Sequence, residues 1–190
     1  MAARITPDEF EIVLEAHKAA LKVTHRLLLV LVPESSEDVE RVQNICDSKG
    51  LIWENSHDFK ELPPRVDVIV AHGTDGLGLW YQLAAVCFLG ASLVPRGGHT
   101  PLEAAALGSA VIHGPHVDNY ADVYLRMRDA GAAIEVSTTA SLAEAVGELI
   151  VPDRAAEMAH AGWVVCSEGA DATDKLVERI WDYLPMGAEA

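Results

Sequence analysis

Short aliphatic runs near 2–4, 27–32, 51–53, 66–71, 85–89, 110–112 and 132–136 alternate along this chain with segments whose apolar positions recur at helical spacing. The runs have the length of strands. The near-continuous ones, Leu27–Val32 above all, suit parallel strands covered on both faces. Phe10, Val13, Leu14, His17 and Leu21 make one helical stripe, and Val39, Val42 and Ile45 make another. Further helices are predicted over Leu77–Leu83, Pro101–Leu107, about Asp118–Asp129 and Ser141–Val151. Two more run from Pro152 toward Cys166 and from about Asp171 to Leu184, the last carrying Leu176, Val177, Ile180 and Trp181. Helix and strand in strict alternation predict an α/β fold, a single doubly wound Rossmann-like domain over 1–190 with a parallel sheet and helices on both faces.

The punctuation agrees. Thr6 before Pro7, Ser36, Thr100 before Pro101 and Asp118 stand where helix caps are expected, and Gly50, Gly108 and Gly131 stand at helix ends. Asn55–Arg65, with Pro63-Pro64, reads as a loop. The first strand is short for a sheet strand, which suggests an element that begins upstream and a chain cut from something longer. Trp53, Trp80, Trp163 and Trp181 are expected in the core, and His17 is expected to pack there.

Composition narrows the function classes. Asp and Glu number 29 against 14 Lys and Arg, a formal charge of −15. That balance excludes a nucleic-acid-binding footprint and a basic membrane-binding surface. An anionic ligand must therefore be held by a local site. No apolar run approaches the ~20 residues that span a bilayer, and no signal peptide is evident at the N-terminus. Cys46, Cys87 and Cys166 show no metal or disulfide spacing, and the histidines show no metal-ligand spacing. A reducing, cytoplasmic setting is expected. Cys87 reads as a small core hydrophobe.

In such sheets ligands bind beyond the carboxyl ends of the strands. The loops at 33–36, 72–76, 90–100 and 113–119 are those ends, and they gather glycines with His99, Glu103, His113, His116 and Asn119. Gly97-Gly98 before a helix starting at Pro101 offers backbone N–H groups and a helix dipole to an anion. Glu103, one turn into that helix, suits acceptance of hydrogen bonds from sugar hydroxyls. On spacing alone, a tight strand-to-helix turn without a ligand fits equally well. His113 leans toward a structural role, and the acids Asp8 and Glu9 read as routine helix N-terminal acids.

The block GGHTPLEAAALGSAVIHGPHVDNY, with Phe10–His17, the LLLVLVP strand, LGLWYQLA and FLGASLVPRGG, resembles the 3-deoxy-D-manno-octulosonic acid (Kdo) transferases of lipopolysaccharide synthesis over essentially the whole chain. That resemblance implies the C-terminal half of a GT-B glycosyltransferase, binding CMP-Kdo as donor substrate with no further cofactor. The acceptor-binding N-terminal domain, with the catalytic carboxylate and the membrane-associating surface, would be absent. Lipid A precursor would be met only through the full-length protein, at the cytoplasmic face of the inner membrane. This chain alone would hold no catalytic residue and no metal, and would be inactive. By position the resemblance implies donor-binding roles for Gly97, Gly98, His99, Glu103, Gly114, Pro115, His116 and Asn119, with Ser92 and Arg96 close by. Arg96 is placed to meet the donor's carboxylate or phosphate.

Four anchors depart from the family pattern. Its STHPGEE becomes Arg4-Ile5-Thr6-Pro7-Asp8-Glu9-Phe10. The cations of its PRHPER loop give way to Glu34-Ser35-Ser36. The Glu of its GELGLWY is missing near Gly76, and its HNPLEP has Thr100 for Asn. Altered donor recognition, or a non-catalytic homologue binding another nucleotide-sugar or serving as a partner or scaffold domain, is the alternative expectation.

Overall fold

The computed structural model describes residues 1–56, 65–74 and 76–183. Seven strands form one sheet: β1 Ala2–Ile5, β2 Leu29–Pro33, β3 Trp53–Asn55, β4 Val68–Val70, β5 Val86–Leu89, β6 Ala110–His113 and β7 Ala133–Glu135. Their order is β3-β4-β2-β1-β5-β6-β7, and every pairing is parallel. The strands fall where the aliphatic runs predict, although β2, β3 and β4 each start two residues late. The expected doubly wound α/β architecture is therefore present.

Helices α1 Phe10–Leu21, α2 Val39–Lys49 and α6 Thr139–Leu149 cover one face; α3 Leu77–Leu83, α4 Leu102–Ala106, α5 Ala121–Asp129 and the 161–166 stretch of α7 Pro152–Tyr183 cover the other, while α7 begins against the first core at Ala155. The strand alternation separates the two cores. Ala2, Leu31, Phe88 and Ile112 join Phe10, Leu14, Val42 and Leu142 on the first face, while Ala3, Val32, Leu89 and Val111 join Tyr81, Ala105 and Met127 on the second.

Several boundaries moved, each for a local reason. Ser35, not Ser36, accepts from an amide, Glu37 N at 3.2 Å, and it caps a 3-10 turn that precedes α2. Thr138 caps α6 with Ser141 as its reciprocal partner, so that helix begins at Thr139. Asp118 opens a 3-10 turn without capping, and α5 starts at Ala121. The two predicted closing helices are one, because nothing between Cys166 and Asp171 breaks the backbone ladder. Gly108 ends α4 as expected. Its left-handed φ of +93° lets Gly108 N and Ser109 N reach Ala105 O and Ala104 O. The tryptophans correct the expectation of four core residues: Trp53 and Trp80 are half-buried, and Trp163 and Trp181 are 53% and 70% exposed. The loop predicted over 55–65 lies mostly outside the described residues, as do Asp75 and Leu184.

His17 packs as expected, its Nε2 2.9 Å from Asp67 O. Burial depresses its pKa to about 4, against the outward pull of that backbone contact. Because the unfolded chain takes up this proton near pH 6.5 and the folded one only near pH 4, stability falls as pH drops through that window. We expect a loss of about 3 kcal/mol by pH 4 from this residue. Urea titrations at pH 7 and pH 4.5 check it, and a His17→Leu chain should show a shallower pH slope.

Candidate functional site

The chain leaves β1 toward β2 on one side, and after β4 it returns to place β5 on the other side of β1. The strand order therefore reverses between β1 and β5, and the edge beyond their carboxyl ends is where sheets of this kind form a ligand crevice. The residues expected to bind a ligand lie around it, on the loops after β5 and β6 and on α4.

The floor of the crevice is built by Glu9, which is fully buried. Its Oε2 accepts from Thr6 N at 3.1 Å, Thr6 Oγ1 at 2.9 Å and Ala91 N at 2.7 Å; its Oε1 accepts from Ser92 N at 3.0 Å and Leu93 N at 2.9 Å. A carboxylate is tolerable there because its lone pairs meet four backbone N–H groups and a hydroxyl. Glu9 thus ties the turn before α1 to the loop after β5, and it occupies three amides that would otherwise face an anion. From the sequence alone Glu9 reads as a routine helix acid. The spacing Thr6-x-x-Glu9 was the available signal, being that of a capping box.

Ser92, also fully buried, staples the next layer. Its Oγ donates to Leu89 O at 2.5 Å and accepts from Gly114 N at 2.8 Å, while Ser92 O accepts from His116 N at 2.9 Å. Asn119 N donates to Gly97 O at 3.1 Å, so the loops after β5 and β6 are joined at both ends. Gly97 and Gly98 are buried with positive φ, and a methyl on Gly97 would sit 2.8 Å from Asn119 Oδ1. These glycines and Gly114 are required by loop-on-loop packing whether or not a ligand approaches.

The rim carries the groups able to meet a ligand. Glu103 is exposed on α4, on the side facing α3 at Gly78. Thr100 Oγ1 accepts from Leu102 N at 3.4 Å, but α4 starts at Leu102 with Pro101 as its N-cap and no side-chain cap, so the expected Thr100 cap, with Pro101 as the first helical residue, is not formed. Pro115 and Asn119 are exposed and His116 is half-buried. Arg96 Nη2 pairs with Asp8 Oδ2 at 2.9 Å, an exposed ion pair across the crevice mouth. His99 Nε2 lies 3.6 Å from Glu34 Oε1, too far for a hydrogen bond, and the nitrogen is buried without a partner. Tyr124 Oη fixes the His99 backbone by donating to its carbonyl at 2.8 Å. Desolvation, then the Arg4 charge, lowers the His99 pKa against the pull of Glu34 and Glu9. His113 is structural as read: it is buried against Tyr124 with ring centroids 4.3 Å apart, and its Nδ1 lies 2.7 Å from Gly114 O.

Among the described residues no group of His, Cys, Asp and Glu could hold a metal ion, and no helix is long and apolar enough to cross a membrane. The edge thus brings together the Glu103 carboxylate, the Arg96 guanidinium, the His99 and His116 rings and the Asn119 amide on loops held by backbone hydrogen bonds, groups able to meet a polar ligand.

No protein-family model matches the chain. It is 30% identical over 187 residues to the 3-deoxy-D-manno-octulosonic acid transferase of Haemophilus influenzae, a match covering 97% of this chain and 44% of that protein. The enzyme of the same name from Bordetella pertussis is 30% identical over 173 residues, 90% of this chain and 40% of that one. The chain therefore spans less than half the length of these relatives. Among solved structures, the C-terminal CMP-Kdo binding domain of WaaA from Acinetobacter baumannii superposes with a TM-score of 0.80 at 25% identity, covering 86% of each chain. In sequence over nearly its whole length, and in fold, this chain is similar to the C-terminal part of the 3-deoxy-D-manno-octulosonic acid transferases.

Proposed function

We propose that this chain is the donor-binding domain of a Kdo transferase. It takes a CMP-linked acidic sugar into the crevice between the loops after β1, β5 and β6. The observation that carries the reading is the structural likeness, over 86% of the chain, to a domain named for binding CMP-Kdo. Glu103 accepts from sugar hydroxyls, Gly97, Gly98, Gly114 and Pro115 shape the walls, and Arg96, His99, His116 and Asn119 line the mouth. In a full-length protein the sugar's anomeric carbon breaks its bond to the CMP phosphate oxygen and bonds to an acceptor hydroxyl of a lipid A precursor. The hydroxyl proton passes to a base outside this chain. The setting is then lipopolysaccharide synthesis at the cytoplasmic face of the inner membrane. This domain's share is positioning and exclusion of water from the reacting bond, and the reading calls for no metal or further cofactor.

The mouth also supports a second reading, a divergent domain with another ligand. Arg96 is engaged by Asp8, and Glu34 stands where an anion would approach His99. One carboxylate ~6 Å from a ligand charge opposes it by about 3 kcal/mol at an effective dielectric of ~20, and because the Glu34 side chain is 47% exposed, solvent screening reduces this to about 1 kcal/mol, a factor of about five. We expect calorimetry to show CMP-Kdo binding more tightly than CMP, Glu34→Gln tightening CMP-Kdo about fivefold, and no transfer to lipid A precursor by the chain alone. A folded chain with no heat from either nucleotide favours the second reading, and turnover by the isolated chain contradicts the first.

A further inference from the structure

The carboxyl end of the central strand holds a residue that the resemblance does not assign. Arg4 interrupts the pairing of β1 with β2: Ala3 opposes Val32 and Ile5 opposes Pro33, which leaves Arg4 as an extra, bulged residue. Its φ is +56°, in the left-handed region that a side chain rarely adopts. The bulge is gripped from the other side, since a methyl on Gly90 would lie 2.8 Å from the Arg4 carbonyl carbon. A bulge at the end of a strand re-aims a side chain, and such departures from ordinary backbone gather where function demands a particular direction.

The bulged side chain lies in the crevice neighbourhood. Its charge is felt by His99 on the β5 loop and by Tyr81 on α3. Its Nε is buried and has no hydrogen-bond partner, as is also true of His99 Nε2. Among the described residues Arg4 takes part in no ion pair, whereas Arg96, the other cation at this edge, is engaged by Asp8. A buried guanidinium N–H without an acceptor is rare in a finished core. Two such nitrogens, on Arg4 and His99, flank the point where the strand order reverses.

We infer that Arg4 is an anion-binding residue of this crevice, taking a phosphate or carboxylate oxygen between its guanidinium and the His99 ring. This deepens the donor-binding reading and rests on it. The backbone at Arg4 separates a binding role from a structural one. Arg4→Gly relieves the left-handed strain, and Arg4→Asn keeps a residue that tolerates it. Both variants are expected to melt at or above the temperature of the parent chain while losing ligand. Calorimetry with CMP, free Kdo and CMP-Kdo should show CMP-Kdo binding weakened at least tenfold in both. An equal loss with CMP identifies the phosphate as the group held; a loss with Kdo but not CMP identifies the carboxylate. Parent-like affinities within twofold for all three ligands overturn the inference and leave the donor-binding reading standing. If the parent chain binds none of the three, that reading fails, and inorganic phosphate decides on Arg4 alone. A saturable shift of the Arg4 Nε–H resonance supports the inference, and an unmoved resonance overturns it.

Discussion

Glu9→Gln is expected to cost the fold on the order of 4 kcal/mol and to lower its melting temperature by ~10 °C. The side chains are nearly the same size, so the effect isolates hydrogen bonding. If the new NH2 replaces Oε2, it faces Thr6 N and Ala91 N; if it replaces Oε1, it faces Ser92 N and Leu93 N. Either orientation leaves two buried N–H donors without an acceptor, each costing ~1–3 kcal/mol. Thermal and urea unfolding of parent and variant measure this directly. A change under 1 kcal/mol would mean that the carboxylate is not the tie between the α1 turn and the β5 loop.

Gly114→Ala is the second large effect, and it acts through backbone atoms. The added methyl would overlap Ser92 O and lie 2.5 Å from Leu93 N. Neither atom can yield freely, because Ser92 N and Leu93 N are held by Glu9 and Ser92 O by His116 N. Overpacking against fixed groups costs ~1–3 kcal/mol. Here the loops after β5 and β6 must also part, so CMP-Kdo affinity should fall with stability. Gly147→Ala is the matched control. A methyl there meets nothing within 4 Å on α6, and it should leave stability unchanged or raise it by ~0.5–1 kcal/mol. Equal behaviour of the two variants would contradict the packing described for the crevice.

The fold was legible because period and punctuation coincide: Leu29–Pro33 and Ala110–His113 are buried on both faces and read as unbroken apolar runs. Phe10, Val13, Leu14 and His17 are buried at helical spacing. Local chemistry misled where two candidates stood side by side, as with Ser35 and Ser36, since only the backbone decides which hydroxyl faces a free amide. Trp163 and Trp181 read as core on hydrophobicity alone, but Trp163 stands on the outward side of α7 between the inward-packed Gly162 and Val165, and Trp181 belongs to a stretch where Leu176, Val177 and Ile180 are exposed too. The glycines of the candidate site and the short helix after them are visible as a motif, although Thr100 does not cap that helix. Glu9 and Arg4 were not, because the roles of both depend on contacts with residues more than eighty positions away or on a bulge in strand register. The sequence pattern marks residues that turn the chain more readily than those that pin two loops together.

Locating CMP-Kdo on the isotope-labelled chain by amide shift mapping tests the central claim most directly. The account predicts saturable perturbations confined to 4–9, 90–103 and 113–119, at the carboxyl edge of the sheet. A different cavity, an apolar groove of about 660 Å³ lined by Met1, Leu27, Trp80, Leu83 and Ala155, lies at the opposite end of the strands. Perturbations centred on that groove, or a spectrum unchanged at saturating CMP-Kdo, would contradict the account.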